Sequence, residues 1–139
     1  MAYATLDDLK KEISSEELIQ LTDDEGLGQI STEVVTEILD KASAEIDGYL
    51  AVRYRLPLEE TPLLLERICV DLAIYYLKLR RGVLDEDTKD RRDNARRLLE
   101  SISRGRISLG VPEASERESS EVKVSTRERI FDSELWEGY

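Results

Sequence analysis

The sequence of 139 residues predicts an all-α protein: a bundle of about four to five helices with two long central helices, followed by an extended C-terminal tail. Apolar residues recur at three- and four-residue steps through most of the first hundred positions, which is the helical period. Residues that favour helix N-caps stand ahead of these runs, and strand-like alternation is confined to a few positions after residue 121. We therefore predict a helical domain over 1–110, a flexible linker over 111–121 and a docking tail over 122–139 that could include a short strand.

Two short helices are predicted at the start of the chain. Thr5 is placed as the N-cap of the first, with Asp8 at the capping-box position three residues on. Ser14 and Glu17 repeat that pattern for the second helix. A loop over 22–31 follows, because two glycines and a cluster of acids interrupt the apolar spacing.

The first long helix begins at Ser31 or Thr32, where either residue can act as the N-cap. Its apolar face recurs to about Arg53, and the helix stops there because the residue before the next proline disfavours helical geometry. Gly48 lies inside this helix, where glycine costs about 1 kcal/mol relative to alanine. We expect this glycine to allow a close helix crossing.

The second long helix is predicted to start at Thr61 and Pro62, a cap followed by proline at the first helical position. Its side chains are apolar almost all round, which is typical of a central helix packed on several sides. Cations followed by Gly82 suit its C-terminus. The last helix starts at Asp85 and ends at Gly105, with a narrow apolar stripe and its arginines left outside.

Composition excludes several kinds of chemistry. The chain has no histidine and one cysteine, which rules out Ser-His-Asp and Cys-His catalysis, histidine metal sites, intrachain disulfides and thiolate zinc sites. The cysteine, Cys69, lies on the apolar helix and is expected to be buried and inert. The acidic clusters at 23–25 and 85–90 lack the spacing of a calcium loop. We therefore expect a protein that is not an enzyme and binds no cofactor or metal ion.

The N-terminus has neither the charged region nor the apolar region of a signal peptide. No run in the sequence approaches the ~18 consecutive apolar residues of a membrane span. A soluble protein made in the cytoplasm is the expectation.

Charge is unevenly distributed along the chain, whose formal net charge is −11. Residues 1–60 carry −10, residues 61–112 carry +3 and residues 113–139 carry −4. Opposite charges on the first half and the middle would let subunits attract one another head to side. A solvated acidic surface that keeps the protein in solution explains the same total.

A basic stretch over 78–106 holds ten basic residues against six acids. We interpret six of its arginines as subunit-interface or channel charges: Arg80, Arg81, Arg91, Arg92, Arg96 and Arg97. The stretch could instead bind nucleic-acid phosphates, as in a small helical regulatory or DNA-binding protein, although the net charge opposes approach to DNA. It could also form pairs along a solvated helix, Asp87 with Arg91 and Asp93 with Arg97.

The C-terminal tail carries large apolar residues after a polar linker. They are Ile130, Phe131, Leu135, Trp136 and Tyr139. So few apolar side chains cannot build a core alone, and exposed aromatic residues would favour aggregation. We therefore expect them to anchor the tail on this domain, on a sister subunit or on another protein.

Six segments, in order, resemble one family of phage proteins. They are MAYATLDDL, ELIQLTD, EIDGYLAVRYRLPL, LLLERICVDLAIYYL, ARRLLESISRGRISLG and RIFDSELWEGY. Together they are similar to the Mu-like prophage small head-gene protein family, a domain of unknown function found in many tailed phages. The resemblance covers nearly the whole chain, and none of its segments is a catalytic motif.

That resemblance implies a head-tail connector, or adaptor, of a tailed phage, a gene transfer agent or a prophage remnant. Such proteins are small, mostly helical and not enzymatic, and they form a ring, typically of twelve copies, under the portal protein. The ring extends the DNA channel without sequence-specific binding and offers a docking surface to the next tail-side connector or stopper protein. The expected location is the head-tail junction of the virion, after synthesis in the host cytoplasm and with no membrane contact.

Overall fold

A computed structural model describes residues 2–113 and folds them into five helices. They are α1 Leu6–Glu12, α2 Ser15–Thr22, α3 Thr32–Leu50, α4 Leu63–Arg81 and α5 Glu86–Ser103. No strand occurs in this part of the chain, so the predicted all-α class is confirmed. Most of the predicted linker, the tail over 122–139 and the strand allowed there lie outside the described residues, and the division into domains stays a prediction.

The bundle is built around the two long helices that the sequence places at its centre. α3 and α4 have 19 residues each and pack against one another, and α5, with 18 residues, packs against both. α1 lies across α3 and α4, and α2 lies against α4. No helix of the described part is long and apolar enough to cross a membrane.

The helices begin close to where their capping residues predict. The side chains of Thr5, Ser14, Ser31 and Asp85 each accept a hydrogen bond from a backbone N–H in the first turn of the helix that follows. The start of α4 differs by one position, because Pro62 rather than Thr61 is the N-cap and no side chain caps this helix. Pro62 cannot donate a backbone hydrogen bond, so its place at the boundary leaves one fewer donor to satisfy.

The end of α3 departs from expectation in two ways. The helix ends at Leu50 rather than near Arg53. The predicted close crossing at Gly48 is wrong: this residue is exposed, and a Cβ built on it would meet no atom of residues 2–113 within 4 Å. Ile46 and Leu50 lie on the buried face of α3, and Gly48, midway between them, falls on the opposite side of the helix.

The core lies between α3, α4 and α5 and is closed by the two short helices. Its fully buried large side chains come from every helix: Leu9, Leu18, Ile46, Leu50, Leu65, Ile68, Leu72, Leu77, Leu99 and Ile102. Cys69 is buried among them with its Sγ 3.6 Å from the Ser43 Oγ, and burial raises the pKa of its thiol. The expectation of a buried cysteine is therefore confirmed. α4 is not buried all round, since Leu63 and Leu79 near its ends are exposed.

The bundle has two ends that differ in construction. At the loop end, α2 finishes beside the C-terminus of α4, and the Thr22 Oγ1 accepts a hydrogen bond from the Ser31 N–H at the start of α3. At the exit end, the segment after α5 folds against the segment after α3, where the Tyr54 hydroxyl accepts a hydrogen bond from the Leu109 N–H. Arg53 and Glu113 pair there at 3.0 Å, so the described chain leaves the bundle at the exit end.

Candidate functional site

The centre of the basic stretch is a network that ties three helices together. Arg96 of α5 donates through its Nε to the Glu45 Oε2 of α3 at 2.7 Å, and the Tyr76 hydroxyl of α4 donates to the same carboxylate. Burial opposes ionisation of Glu45, but the hydrogen bonds from Arg96 and Tyr76 outweigh it and hold the pKa of Glu45 below its ordinary value. Arg96 thus neutralises an acid of the first half of the chain.

Two tyrosines of α4 provide aromatic faces for nearby cations. The Arg92 and Arg96 guanidinium carbons lie 4.7 and 5.6 Å from the centroid of the Tyr75 ring, and the Lys41 Nζ lies 4.7 Å from that of Tyr76. These are cation–π distances. Arg92 also contacts its neighbour Asp93 at 2.8 Å, and its side chain is mostly covered. The stems and charges of these arginines are therefore held against the domain itself.

Arg80 and Arg81 close the loop end. Both guanidinium groups contact the Asp24 carboxylate, and each also donates to a backbone carbonyl at the end of α2, Arg80 to Leu21 and Arg81 to Gln20. The hydrogen bond from Arg80 holds the pKa of Asp24 below its ordinary value. The two arginines thus stabilise the α2 C-terminus, because they satisfy carbonyls that have no partner within the helix.

Arg91 links α1 to α4 and α5. Its guanidinium lies 3.2 Å from Glu12, 3.3 Å from Asp87 and 3.8 Å from Asp71. Burial raises the pKa of Asp71, against the opposing charge of Arg91. The expected Asp87–Arg91 pair along the helix is therefore present in the structure.

Arg97 is the exception among the six arginines. It is exposed and forms no ion pair with the described part of the chain. The expected Asp93–Arg97 pair is absent there, because Asp93 contacts Arg92 instead. Five of the six arginines are thus engaged within the subunit, and Arg97 is the one of the six without an acidic partner among residues 2–113.

Sequence reasoning missed the partners of these arginines. Glu12, Asp24 and Glu45 lie between 51 and 79 positions away in the chain from the arginines that they contact. The one sequence signal that could have found them is the excess of acids over residues 1–60, which must lie near the basic stretch in a small domain. No periodicity identifies which acid meets which arginine.

An acidic stripe runs along the exposed face of α3. Glu33, Glu37 and Asp40, spaced by four and three residues, are exposed and make no ion pair within the described residues. Residues at this spacing lie on one face of a helix. The stripe is therefore an acidic surface of the domain that stays uncompensated, in contrast to the arginines of α5.

Two acidic side chains of the loop after α2 form hydrogen bonds and ion pairs within the domain. The Asp23 carboxylate accepts from the Leu27 N–H at 2.9 Å and from the Gly28 N–H at 2.7 Å, and Asp24 pairs with Arg80 and Arg81. Among residues 2–113, no group of three or more histidine, cysteine, aspartate or glutamate side chains is placed to hold a metal ion.

A groove of about 250 Å³ lies between α1 and the first half of α3. Leu6, Val35 and Leu39 line its floor, and Thr5, Thr36 and Asp40 stand at its rim. Its lining, as far as residues 2–113 provide it, includes no pair of acid and base groups. The predicted tail anchors lie outside the described residues, so their positions relative to this groove stay a prediction.

Comparisons with known proteins assign the chain to a phage family. The family model described as Bacteriophage Mu, Gp36 matches residues 3–128. Gene product J of Escherichia phage Mu is 38% identical over 112 residues, which cover 80% of this chain and 78% of that protein. Mu-like prophage FluMu protein gp36 of Haemophilus influenzae is 42% identical over 87 residues, which cover 63% of this chain and 60% of that protein. The matched region thus spans about three fifths of the Haemophilus protein.

Proposed function

This chain belongs to the Bacteriophage Mu Gp36 family, and we propose that it is a structural head-tail connector, or adaptor, of a tailed phage or phage-like particle. The expected relation to Mu-like prophage proteins is confirmed by the family match and by both relatives. In the proposed role, copies of the chain form a ring beneath the portal protein, extend the DNA channel and dock the next tail-side component. The protein acts by contact and not by catalysis.

The observation that carries this proposal is the difference between the two ends of the bundle. At the exit-end side, Val52 after α3 is 71% exposed and Leu63 at the start of α4 is 72% exposed. At the loop end, Leu27, Leu79 and Val83 are 64%, 47% and 52% exposed. A closed ring needs a heterologous contact, in which one surface of a subunit meets a different surface of the next. Two distinct apolar ends supply such a pair.

The charges fit the same arrangement. Glu33, Glu37 and Asp40 of α3 make no ion pair among the described residues, and neither does Arg97 of α5. Attraction between opposite charges on neighbouring copies would guide their encounter and set their orientation. Of the six arginines, we propose Arg97 as the interface charge. Arg80, Arg81, Arg91, Arg92 and Arg96 could serve only by sharing or leaving their partners within the subunit.

The tail is the second proposed contact. The end of the chain would be anchored on a neighbouring copy or on the portal protein by Leu135, Trp136 and Tyr139. Large aromatic side chains are the usual anchors of protein interfaces because they bury much area at low entropic cost. The portal could act as the template on which the ring closes.

Ring formation and its heterologous geometry can be tested together. The chain is co-expressed with the portal protein of the same particle, and assemblies are examined by light scattering and negative-stain microscopy. Leu63→Glu should block the exit end and Val83→Glu the loop end, so neither variant should form rings. A mixture of the two should form dimers and stop, because each variant keeps one intact end. Ala44→Glu, at an exposed position in the middle of α3, is the matched control and should form rings.

Two results would contradict the proposal. If the wild-type chain never forms rings with its portal protein, the proposed connector role is wrong. Rings formed by both end variants as readily as by Ala44→Glu would show that the apolar ends are not the subunit contact. Circular dichroism of each variant ensures that a loss of assembly is not a loss of fold.

A further inference from the structure

The groove between α1 and α3 is suited to a peptide segment rather than to a small molecule. Its volume of about 250 Å³ falls below the roughly 300–1,000 Å³ of typical small-molecule sites. Its apolar floor of Leu6, Val35 and Leu39 can receive one or two side chains, while the threonines at the rim can hydrogen-bond to a passing backbone.

The electrostatics of the groove favour a basic occupant. Asp40 stands on its rim, and Glu33 and Glu37 continue the acidic stripe along the same helix. Exposed carboxylates without ion-pair partners attract cationic groups over about a Debye length, ~8 Å at physiological salt. A segment that fits the groove should therefore combine apolar side chains with lysine or arginine.

One segment of the chain outside the described residues has that chemistry. Residues 122–131, VKVSTRERIF, contain three basic residues and one acid, together with two valines, one isoleucine and one phenylalanine. The residues on either side of it are acidic: Glu116, Glu118 and Glu121 precede it, and Asp132, Glu134 and Glu137 follow it. Of the chain beyond Glu113, only this segment complements the acidic stripe.

The length of the intervening chain allows the segment to reach the groove of its own subunit. Glu113 is held at the exit end by Arg53. Along α3, the 14 residues from Leu50 back to Thr36 correspond to about 21 Å at 1.5 Å per residue. The eight residues 114–121 can span up to about 26–29 Å when extended.

We propose that residues 122–131 of the same chain dock in the α1–α3 groove, with their apolar side chains on its floor and their basic side chains against Glu33, Glu37 and Asp40. This contact would engage Glu33, Glu37 and Asp40 within the subunit and so compete with the attraction between copies proposed above, but its test does not depend on the connector role. It would occupy Ile130 and Phe131 within the subunit and leave Leu135, Trp136 and Tyr139 to partners. It would also cover part of the acidic face of the domain.

Limited proteolysis of the full chain with trypsin tests this docking. The chain beyond Glu113 contains two bonds of the same type, Arg117–Glu118 in the predicted linker and Arg127–Glu128 in the proposed docked segment. Mass spectrometry gives the cleavage rate at each. We expect cleavage after Arg127 to be about tenfold slower than after Arg117, the factor produced when nine tenths of the segments are docked. Equal rates in the wild-type chain would overturn the proposal.

Charge variants establish where the segment docks. Replacing Glu33 and Glu37 with glutamine and Asp40 with asparagine should abolish the protection of Arg127, while leaving the circular dichroism unchanged. The matched control replaces Glu16, Glu59 and Glu86, three exposed acids elsewhere on the domain, with glutamine and should retain the protection. Protection lost equally in both variants would indicate attraction to the net charge and not to the groove. Protection that disappears on dilution would assign the occupant to a second copy, which also contradicts the proposal.

Discussion

Glycine-to-alanine substitutions at three positions should change stability with opposite signs. Gly48 lies in α3 without a positive φ, it is exposed, and a Cβ there meets nothing within 4 Å. Alanine at this position restricts the unfolded chain at no steric cost in the folded one. We expect Gly48→Ala to raise the free energy of unfolding by about 0.5–1 kcal/mol, which corresponds to roughly 2–6 °C in Tm for a chain of this size.

The opposite result is expected at Gly105, just after α5. Its φ is +78°, and a Cβ there would lie 2.7 Å from the Arg53 Cζ. The left-handed conformation costs an alanine about 1–2 kcal/mol. The clash also displaces the Arg53 guanidinium, which pairs with Glu113 at 3.0 Å, so the total loss should exceed the backbone cost.

Gly82 distinguishes the cost of the left-handed backbone from the cost of the clash with Arg53. It has a φ of +76° at the C-terminus of α4, but a Cβ there would meet no atom of the described residues within 4 Å. Gly82→Ala should therefore lose about 1–2 kcal/mol from the backbone alone, less than Gly105→Ala. Urea unfolding followed by circular dichroism measures the free energy of unfolding of all three variants, which can be compared directly if their m values are equal. A destabilised Gly48→Ala variant would refute the first expectation, because it would mean that α3 packs on a surface absent from residues 2–113. Equal losses of stability in Gly82→Ala and Gly105→Ala would refute the role of the clash with Arg53.

Three further predictions concern the pKa of Glu45, the reactivity of Cys69 and the ion pairs of Asp24. The hydrogen bonds from Arg96 lower the pKa of Glu45 in the folded state. The stability that ionised Glu45 contributes is therefore fully present above its ordinary pKa of 4.5, and it is lost as the pH falls through the lower pKa of the folded state. Glu45→Gln should therefore flatten the decline in Tm below pH 4.5, and an unchanged slope would exclude Glu45 as its cause. Cys69 should not react with a thiol reagent until the chain unfolds, because its thiol is buried and its pKa is raised; stoichiometric labelling of the native protein would show that the core opens. Asp24→Ala should speed hydrogen exchange in the loop over 23–31 and not in α5. If the loop exchanged at the same rate in this variant as in the wild-type chain, Arg80 and Arg81 would not hold it.

Local signals in the sequence account for most of the fold. Thr5, Ser14, Ser31 and Asp85 cap four helices as expected, because a cap depends only on the few residues that follow it. The same holds for the burial of Cys69 on the apolar face of α4. The expectation at Gly48 failed because a glycine inside a helix has the same sequence signature whether it faces a neighbouring helix or solvent.

The sequence by itself determined the class of this protein. Helical spacing and caps require a helical bundle, the absence of histidine excludes whole groups of catalytic and metal sites, and the order of its segments places it among Mu-like phage proteins. Only the tertiary structure decided which charges remain available to a partner. Five arginines of α4 and α5 are engaged with aspartates, glutamates and tyrosines of this domain, whereas Arg97 of α5 and Glu33, Glu37 and Asp40 of α3 are left exposed. The reason is that four of these pairs, Arg80 and Arg81 with Asp24, Arg91 with Glu12, and Arg96 with Glu45, join residues more than fifty positions apart in the chain. Their distances depend on how the helices pack rather than on any local pattern.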